Sequence, residues 1–307
     1  MVRIGLVDLD TSHPAAFTRI LRSIPGVAVT ALWDGHDVWP AGYDAHFAKE
    51  WHIPTVCSRL EELADHVDAA MIHGVNWDTH VDKAVVFMRA GLPVLIDKPI
   101  VGTVRDCCRL LDLQAKYGTV VFGGSSLRYA AEISSLHASI GPPYRPASAM
   151  ASGPGDFFSY GIHTTEMLQG CVGSGIRSVR LVAGGAAPLF VLEYQDGFSA
   201  LLQLQMQYYE WSLCVFTDRG VRAVTVNPDK LYEPYVRNFV TLVQGGDVEY
   251  SLAAPIEAVR VHIAARLAMD TGARVMLEEL PMQAGFDGAA FTRAYAETKR
   301  RQSAHAG

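Results

Sequence analysis

The sequence predicts an α/β protein in two parts: a doubly wound parallel sheet, then an α+β unit built on a large, mainly antiparallel open sheet. Three observations predict it. Short β-rich runs alternate with helical spacing through the first third of the chain, strand-like runs follow one another directly after about residue 126, and 307 residues at 50% apolar suffice for two cores.

In order, strands are expected at "RIGLVDL" (3–9), "VAVTALWD" (27–34), "AAMIHGV" (69–75), "PVLIDKP" (93–99) and "TVVFGGS" (119–125), with helices near 14–24, 43–51, 59–65, 78–90 and 103–117. Strand, helix, strand repeated in this way forms a parallel sheet covered on both faces. A ligand crevice then lies beyond the carboxyl ends of the strands, where the strand order reverses. The later runs are "SVRLVAGG" (178–185), "LFVLEYQDG" (189–197), "FSALLQLQMQ" (198–207), "WSLCVFTDRG" (211–220) and "VRAVTVN" (221–227). Short Gly-containing links and the alternation in "SALLQLQMQ" indicate an antiparallel sheet with one wet face. The expected division is 1–125, a Rossmann-type nucleotide-binding domain, and 126–307, a domain for substrate and oligomerisation. "GPPYRPASAMASGPG" (141–155) reads as a crossover loop, and "QMQYYEW" (205–211) as part of a sheet face that packs on another subunit.

Composition narrows the function. Acidic residues exceed basic ones by 32 to 26, and the basic run "KRR" (299–301) comes only in the tail, so nucleic acid is not an expected partner. No stretch approaches the roughly 20 apolar residues of a membrane span, and no secretory leader is expected at the first residues. Five cysteines, at 57, 107, 108, 171 and 214, lack metal-finger spacing and suit reduced thiols in the cytoplasm.

The turn after the first strand reads "DLDTSHP" (8–14). Asp10, Thr11 or Ser12 is suited to cap the next helix, with Pro14 just inside it. Asp34 ends the second strand, where a carboxylate accepts from both ribose hydroxyls of a nucleotide or simply forms a turn.

Four stretches carry a resemblance. "IHGVNWDTHVDKAVVFMRAGLPVLIDKPI" (72–100) is similar to the segment of the glucose-fructose oxidoreductase / inositol dehydrogenase (Gfo/Idh/MocA) family in which Asn and His precede a helix, followed by Ala-Gly, a strand and Glu-Lys-Pro. Those positions are Asn76, His80, Ala90, Gly91 and Asp97-Lys98-Pro99. "SYGIHTTEML" (159–168) resembles the family's Asp-x-Gly-x-His-x-x-Asp, residues 236–277 resemble its C-terminal helices, and Arg128-Tyr129 resembles its Arg-aromatic pair at the domain junction.

The resemblance implies a hydride-transferring oxidoreductase that uses NAD on a sugar, cyclitol or similar polyhydroxylated small molecule. It implies Lys98 and His163 as the catalytic pair. Gly5, Asp10, Ser12, His13, Asp34, Asn76, His80 and Asp97 would line the cofactor, and Arg128, Tyr129, Ser159 and Glu166 the substrate. A homo-oligomer joined through the open sheet is expected on the same ground. Independently, a Lys at a strand's carboxyl end reaches a crevice, and burial draws its pKa toward a useful range.

Two departures stand against this. The family's three loop glycines fall at Asp8, Asp10 and His13, which add bulk and charge where a pyrophosphate approaches, and its carboxylate before the catalytic His is Ser159. The sequence therefore admits an alternative: a metal-assisted lyase, isomerase or hydrolase holding a divalent cation on Asp8, Asp10, His13 and His73. A catalytically silent binding protein is the third reading.

Overall fold

The structure, a computed structural model, describes residues 1–141 and 146–306. Its first layer runs β1 (Val2–Val7), α1 (His13–Arg22), β2 (Val27–Trp33), α2 (Tyr43–Glu50), β3 (Thr55–Val56), α3 (Leu60–Leu63), β4 (Ala69–Ile72), α4 (His80–Arg89), β5 (Val94–Ile96), α5 (Val104–Tyr117) and β6 (Val121–Gly123). The six strands are all parallel, in the order β3-β2-β1-β4-β5-β6. The order reverses at β1, which pairs β2 on one side and β4 on the other, so the crevice opens above the carboxyl ends of β1 and β4.

The expected strands at 69–75 and 93–99 are shorter in the structure. Their last residues, His73–Val75 and Asp97–Pro99, leave the sheet and form the crevice loops. β3 has only two residues, too few for any alternation to announce it.

The second layer comprises α6 (Ala131–Ile140), β7 (Ser148–Pro154), α7 (Gly161–Val172), β8 (Ile176–Ala183), β9 (Leu189–Tyr194), β10 (Ser199–Met206), β11 (Ser212–Thr217), β12 (Gly220–Thr225), α8 (Tyr232–Val243), α9 (Ala253–Thr271), β13 (Val275–Met276) and α10 (Gly288–Ala306). Its sheet has the order β12-β11-β7-β10-β9-β8-β13. The stretch 141–155, expected to be a loop, contains β7, a central strand parallel to β10 and antiparallel to β11. Small residues hide it: Ala149, Ala151 and Gly153 face inward and Ser148, Met150 and Ser152 outward, a period-2 pattern with little β-propensity. The start of that stretch, 142–145, lies outside the described residues.

One face of this sheet is closed by α7 and α9, with Phe190, Leu192, Leu202 and Leu213 buried beneath them. α8 turns back to the first layer, where Tyr235, Val236 and Phe239 join Leu6, Phe17, Leu95 and Phe122 in one buried cluster. Among the described residues no helix is long and apolar enough to cross a membrane.

Candidate active site at the carboxyl edge of the parallel sheet

The loops after β1, β4 and β5 enclose a cavity of about 150 Å³ whose walls include Ser12, His13, His73, Asp97, Lys98 and Tyr160. Lys98 enters it directly from the end of β5. Its ammonium donates to the Ser159 carbonyl at 3.0 Å and lies 5.0 Å from the centre of the Tyr160 ring. Burial lowers its pKa, while the Asp97 and Asp156 carboxylates act in the opposite direction.

His163 sits in the first turn of α7, its Nδ1 2.6 Å from Ser125 Oγ and its ring edge-on to Trp211. Burial holds its pKa well below the usual imidazole range, and the charges of Lys98 and His13 push the same way, so the ring is neutral. Ser159, at the position of the family carboxylate, is tied to Asp156: its hydroxyl donates to Oδ2 at 2.8 Å and its N–H to Oδ1 at 2.6 Å. Asp156 thus stands one residue behind the cavity, holding the carbonyl that grips Lys98.

Asp97 is the hub of the opposite wall. Its Oδ2 has His13 Nδ1 at 2.5 Å and His73 Nδ1 at 3.2 Å, and its Oδ1 accepts from the Lys98 N–H at 2.7 Å. Burial alone would raise this carboxyl, but the two imidazoles reverse that and hold it well below the ordinary carboxylate range. His13 Nε2 meets the Tyr232 hydroxyl of α8 at 3.1 Å.

The glycine-position residues behave differently from their charges on paper. Asp8 keeps the left-handed backbone of a glycine, φ 63°, a conformation that Asp tolerates. Its carboxylate turns away from the cavity into a buried ion pair with Lys83 of α4 at 2.6 Å, and accepts from the Gly35 N–H at 3.2 Å. Gly74 makes the room: a Cβ there would stand 2.6 Å from Asp8 Oδ2. Asp10 accepts from the Val75 N–H at 2.8 Å, while its other oxygen is buried without a hydrogen-bond partner. Burial, then the Asp8 charge, pushes its carboxyl up to about 8, so it is largely neutral at pH 7.

Several expectations need correction. Asp8, Asp10, His13 and His73 do not converge: Asp8 goes to Lys83, Asp10 to a backbone amide, and the two histidines to Asp97. Among the described residues no group of three or more His, Cys, Asp or Glu is arranged to hold a metal ion. Gly5 lies inside β1, where a Cβ would crowd Val67 and Leu63; it serves the packing of α3, not a ligand. His80 is fully buried between the Gly74 and Ile100 carbonyls, at 2.9 and 3.2 Å, and fastens the two crevice loops together. Arg128 and Tyr129 line a separate cavity of about 790 Å³, with Arg128 reaching Gln169 at 2.5 Å and Glu166 at 3.4 Å. Glu166 is buried under Gly124, where a Cβ would meet its carboxylate, so this cluster locks α7 to the end of β6 rather than facing Lys98.

Asp34 and Asn76 stay at the crevice edge. Asp34 Oδ1 accepts from the N–H groups of Leu9 and His36, with the His36 ring 3.4 Å from Oδ2. Asn76 Oδ1 is buried without a partner. Sequence reasoning missed Lys83, Tyr160 and Tyr232. Only Lys83 left a signal, as a cation three residues after His80 and four before Phe87 on the buried stripe of α4.

The dinucleotide implied by the resemblance fits these side chains. With Asp8 paired and Asp10 neutral, the repulsion expected against a pyrophosphate is mostly removed. α1 begins at His13, whose N–H donates to Thr11 Oγ1 at 3.1 Å, while Ser12 makes no side-chain cap, and Asp34 lies just past the end of β2.

Residues 12–125 match the profile of a family described as "Oxidoreductase family, NAD-binding Rossmann fold", a match that begins just past Asp8 and Asp10. YceM of Salmonella typhimurium, which its name assigns provisionally to the oxidoreductases, is 30% identical over 131 residues, 42% of this chain and 40% of that protein. Inositol 2-dehydrogenase of Gluconacetobacter diazotrophicus is 26% identical over 129 residues, 41% of this chain and 37% of that protein. The alignment thus spans only about two fifths of these curated relatives. A solved scyllo-inositol dehydrogenase from Lactobacillus casei, with bound NAD(H) and scyllo-inositol, superposes with a TM-score of 0.77 over 91% of this chain and 100% of its own at 14% identity, a likeness of fold. Motifs, domain profile and fold agree: residues 12–125 match the NAD-binding Rossmann domain of the oxidoreductase family, and the chain as a whole shares its fold with solved dehydrogenases.

Proposed function

We propose that the protein is an NAD-dependent oxidoreductase that transfers a hydride between the nicotinamide and a sugar, cyclitol or similar polyhydroxylated small molecule. The observation that carries this reading is Lys98: a half-buried amine of lowered pKa, just past the carboxyl end of β5, in a cavity that Thr11, Ser12 and His13 at the start of α1 also line. NAD, when bound, supplies the hydride acceptor. Asp34 would accept hydrogen bonds from the ribose, and the N-terminal end of α1 would lie beside the pyrophosphate. In its neutral amine form, which the lowered pKa brings within reach, Lys98 takes the proton of the reacting hydroxyl, with neutral His163 of α7 as the second member of the pair. Ser159 and Asp156 hold Lys98 in place.

Residues 1–125 act in this scheme as the nucleotide-binding domain and 126–307 as the domain for substrate and oligomerisation, joining copies through the open sheet. The cytoplasm is the compartment that suits an NAD enzyme with five free cysteines. The deciding experiment pairs calorimetric titration with NAD and an assay of nicotinamide reduction across inositols and aldoses. NAD binding, with reduction driven by at least one polyol, is the expected result. Failure of NAD to bind overturns the reading.

A further inference from the structure

The last helix, α10, lies across the loops that follow β2 and β4. Val38 of the first loop, Val75 of the second and Ala296 of α10 form a buried cluster at 4%, 8% and 1% exposure, with Trp39, Phe291 and Tyr295 packed on it. The segment leading into α10 is pinned: Trp77 Nε1 donates to the Phe286 carbonyl at 2.9 Å, the Ala289 N–H donates to Asp78 Oδ2 at 3.0 Å, and the Phe291 ring lies 4.9 Å from Trp77. Burial, then the Asp10 charge, raises the Tyr295 phenol to about 12. Phe291 and Tyr295 also form one wall of the Lys98 cavity.

This placement conflicts with an extended ligand. In a sheet of this order a dinucleotide spans the switch point, with its adenosine half over the ends of β1 and β2 and between the loops after β2 and β4. Those are the loops that α10 holds together. What remains open beside Lys98 is about 150 Å³, against roughly 300–1,000 Å³ for sites that take drug-sized ligands. The polar groups for the cofactor are present, and the volume for its adenosine end is filled by the chain itself.

We infer that α10 is a displaceable strap occupying the adenosine half of the crevice, so that NAD binds only those molecules in which Phe291, Tyr295 and Ala296 have left it. This rests on the reading that the chain binds NAD. Apparent affinity is then the intrinsic affinity reduced by the fraction of released molecules, and any change that favours release tightens binding.

The test uses the full chain, NAD as the probe, calorimetry, and hydrogen exchange of peptides covering α10. Ala296→Arg drives bulk and charge into a closed position; Tyr295→Ala is a milder release should the first variant fold poorly. Expected are a Kd for NAD lowered at least ~10-fold in the variants, and faster exchange of α10 in the wild type on adding NAD. Equal Kd in wild type and variants, or α10 equally protected with NAD bound, overturns the strap and leaves the cofactor reading standing. No NAD binding by the wild type or by variants whose α10 is seen to be released overturns both.

Discussion

Lys98 and His163 carry the sharpest predictions at the scale of the residue. Lys98→Met removes the group proposed to move the proton while keeping a similar apolar stem, so turnover is expected to fall at least ~100-fold with the thermal transition and NAD affinity little changed. Turnover within a few-fold of wild type removes Lys98 from the chemistry. If His163 shares that proton, Lys98→Met, His163→Asn and the double variant are similarly inactive, whereas losses that multiply make His163 a positioning residue. Asp10 makes a prediction about pH. Its folded pKa, raised to about 8, exceeds its unfolded value, so the folded form keeps a proton that the unfolded chain releases. The stability this contributes is complete below about pH 4 and is lost as pH rises toward 8. Asp10→Asn, which cannot ionise, is therefore expected to gain on wild type across that window, by about 4 °C or more in Tm at pH 8.5. A gap that stays constant from pH 4 to 8.5 refutes the assignment.

At the scale of the element, the buried pair Asp8–Lys83 ties the end of β1 to α4 beneath the crevice loops. Breaking it from one side leaves a carboxylate without its cation in a site 1% exposed. Lys83→Met is expected to cost about 3–5 kcal/mol, and adding Asp8→Asn to recover much of that, because the uncompensated charge is then gone. Denaturant unfolding of the two single variants and the double checks this; additive losses would mean that the pair is not coupled. Most of the strands were legible, since each of the ten quoted runs alternates or clusters apolar residues and contains a strand of the structure. β7 was not, because its inward positions are Ala149, Ala151 and Gly153 and its stretch begins and ends in Gly and Pro.

At the scale of the whole molecule, the second sheet has a face that no helix covers among the described residues. The registers place Val191, Leu201, Met150 and Cys214 side by side across β9, β10, β7 and β11, all half-buried on that face, with Phe216 42% exposed beside them. A row of apolar residues on an open sheet suits a second copy of the chain. Leu201→Lys is expected to lower the sedimenting mass to that of one chain while leaving the fold intact. A wild type already monomeric at micromolar concentration counts against the oligomer.

The sequence by itself determined what is local: the alternation of strands and helices, the turn at which Lys98 leaves β5, the start of α7 that carries His163, and the acidic turn after β1. Each is written in period, propensity or a short run of neighbours. Only the tertiary structure decided what that acidic turn means, because the answer depends on partners far along the chain. Asp8 meets Lys83 75 positions away, Asp97 gathers His13 from 84 positions away, and Arg128 is drawn to Gln169 and Glu166 instead of the Lys98 cavity. The same holds for α10, whose place across the crevice loops no run of its own residues announces. Contacts of that separation are set by how packed layers meet, and no pattern along the chain encodes them.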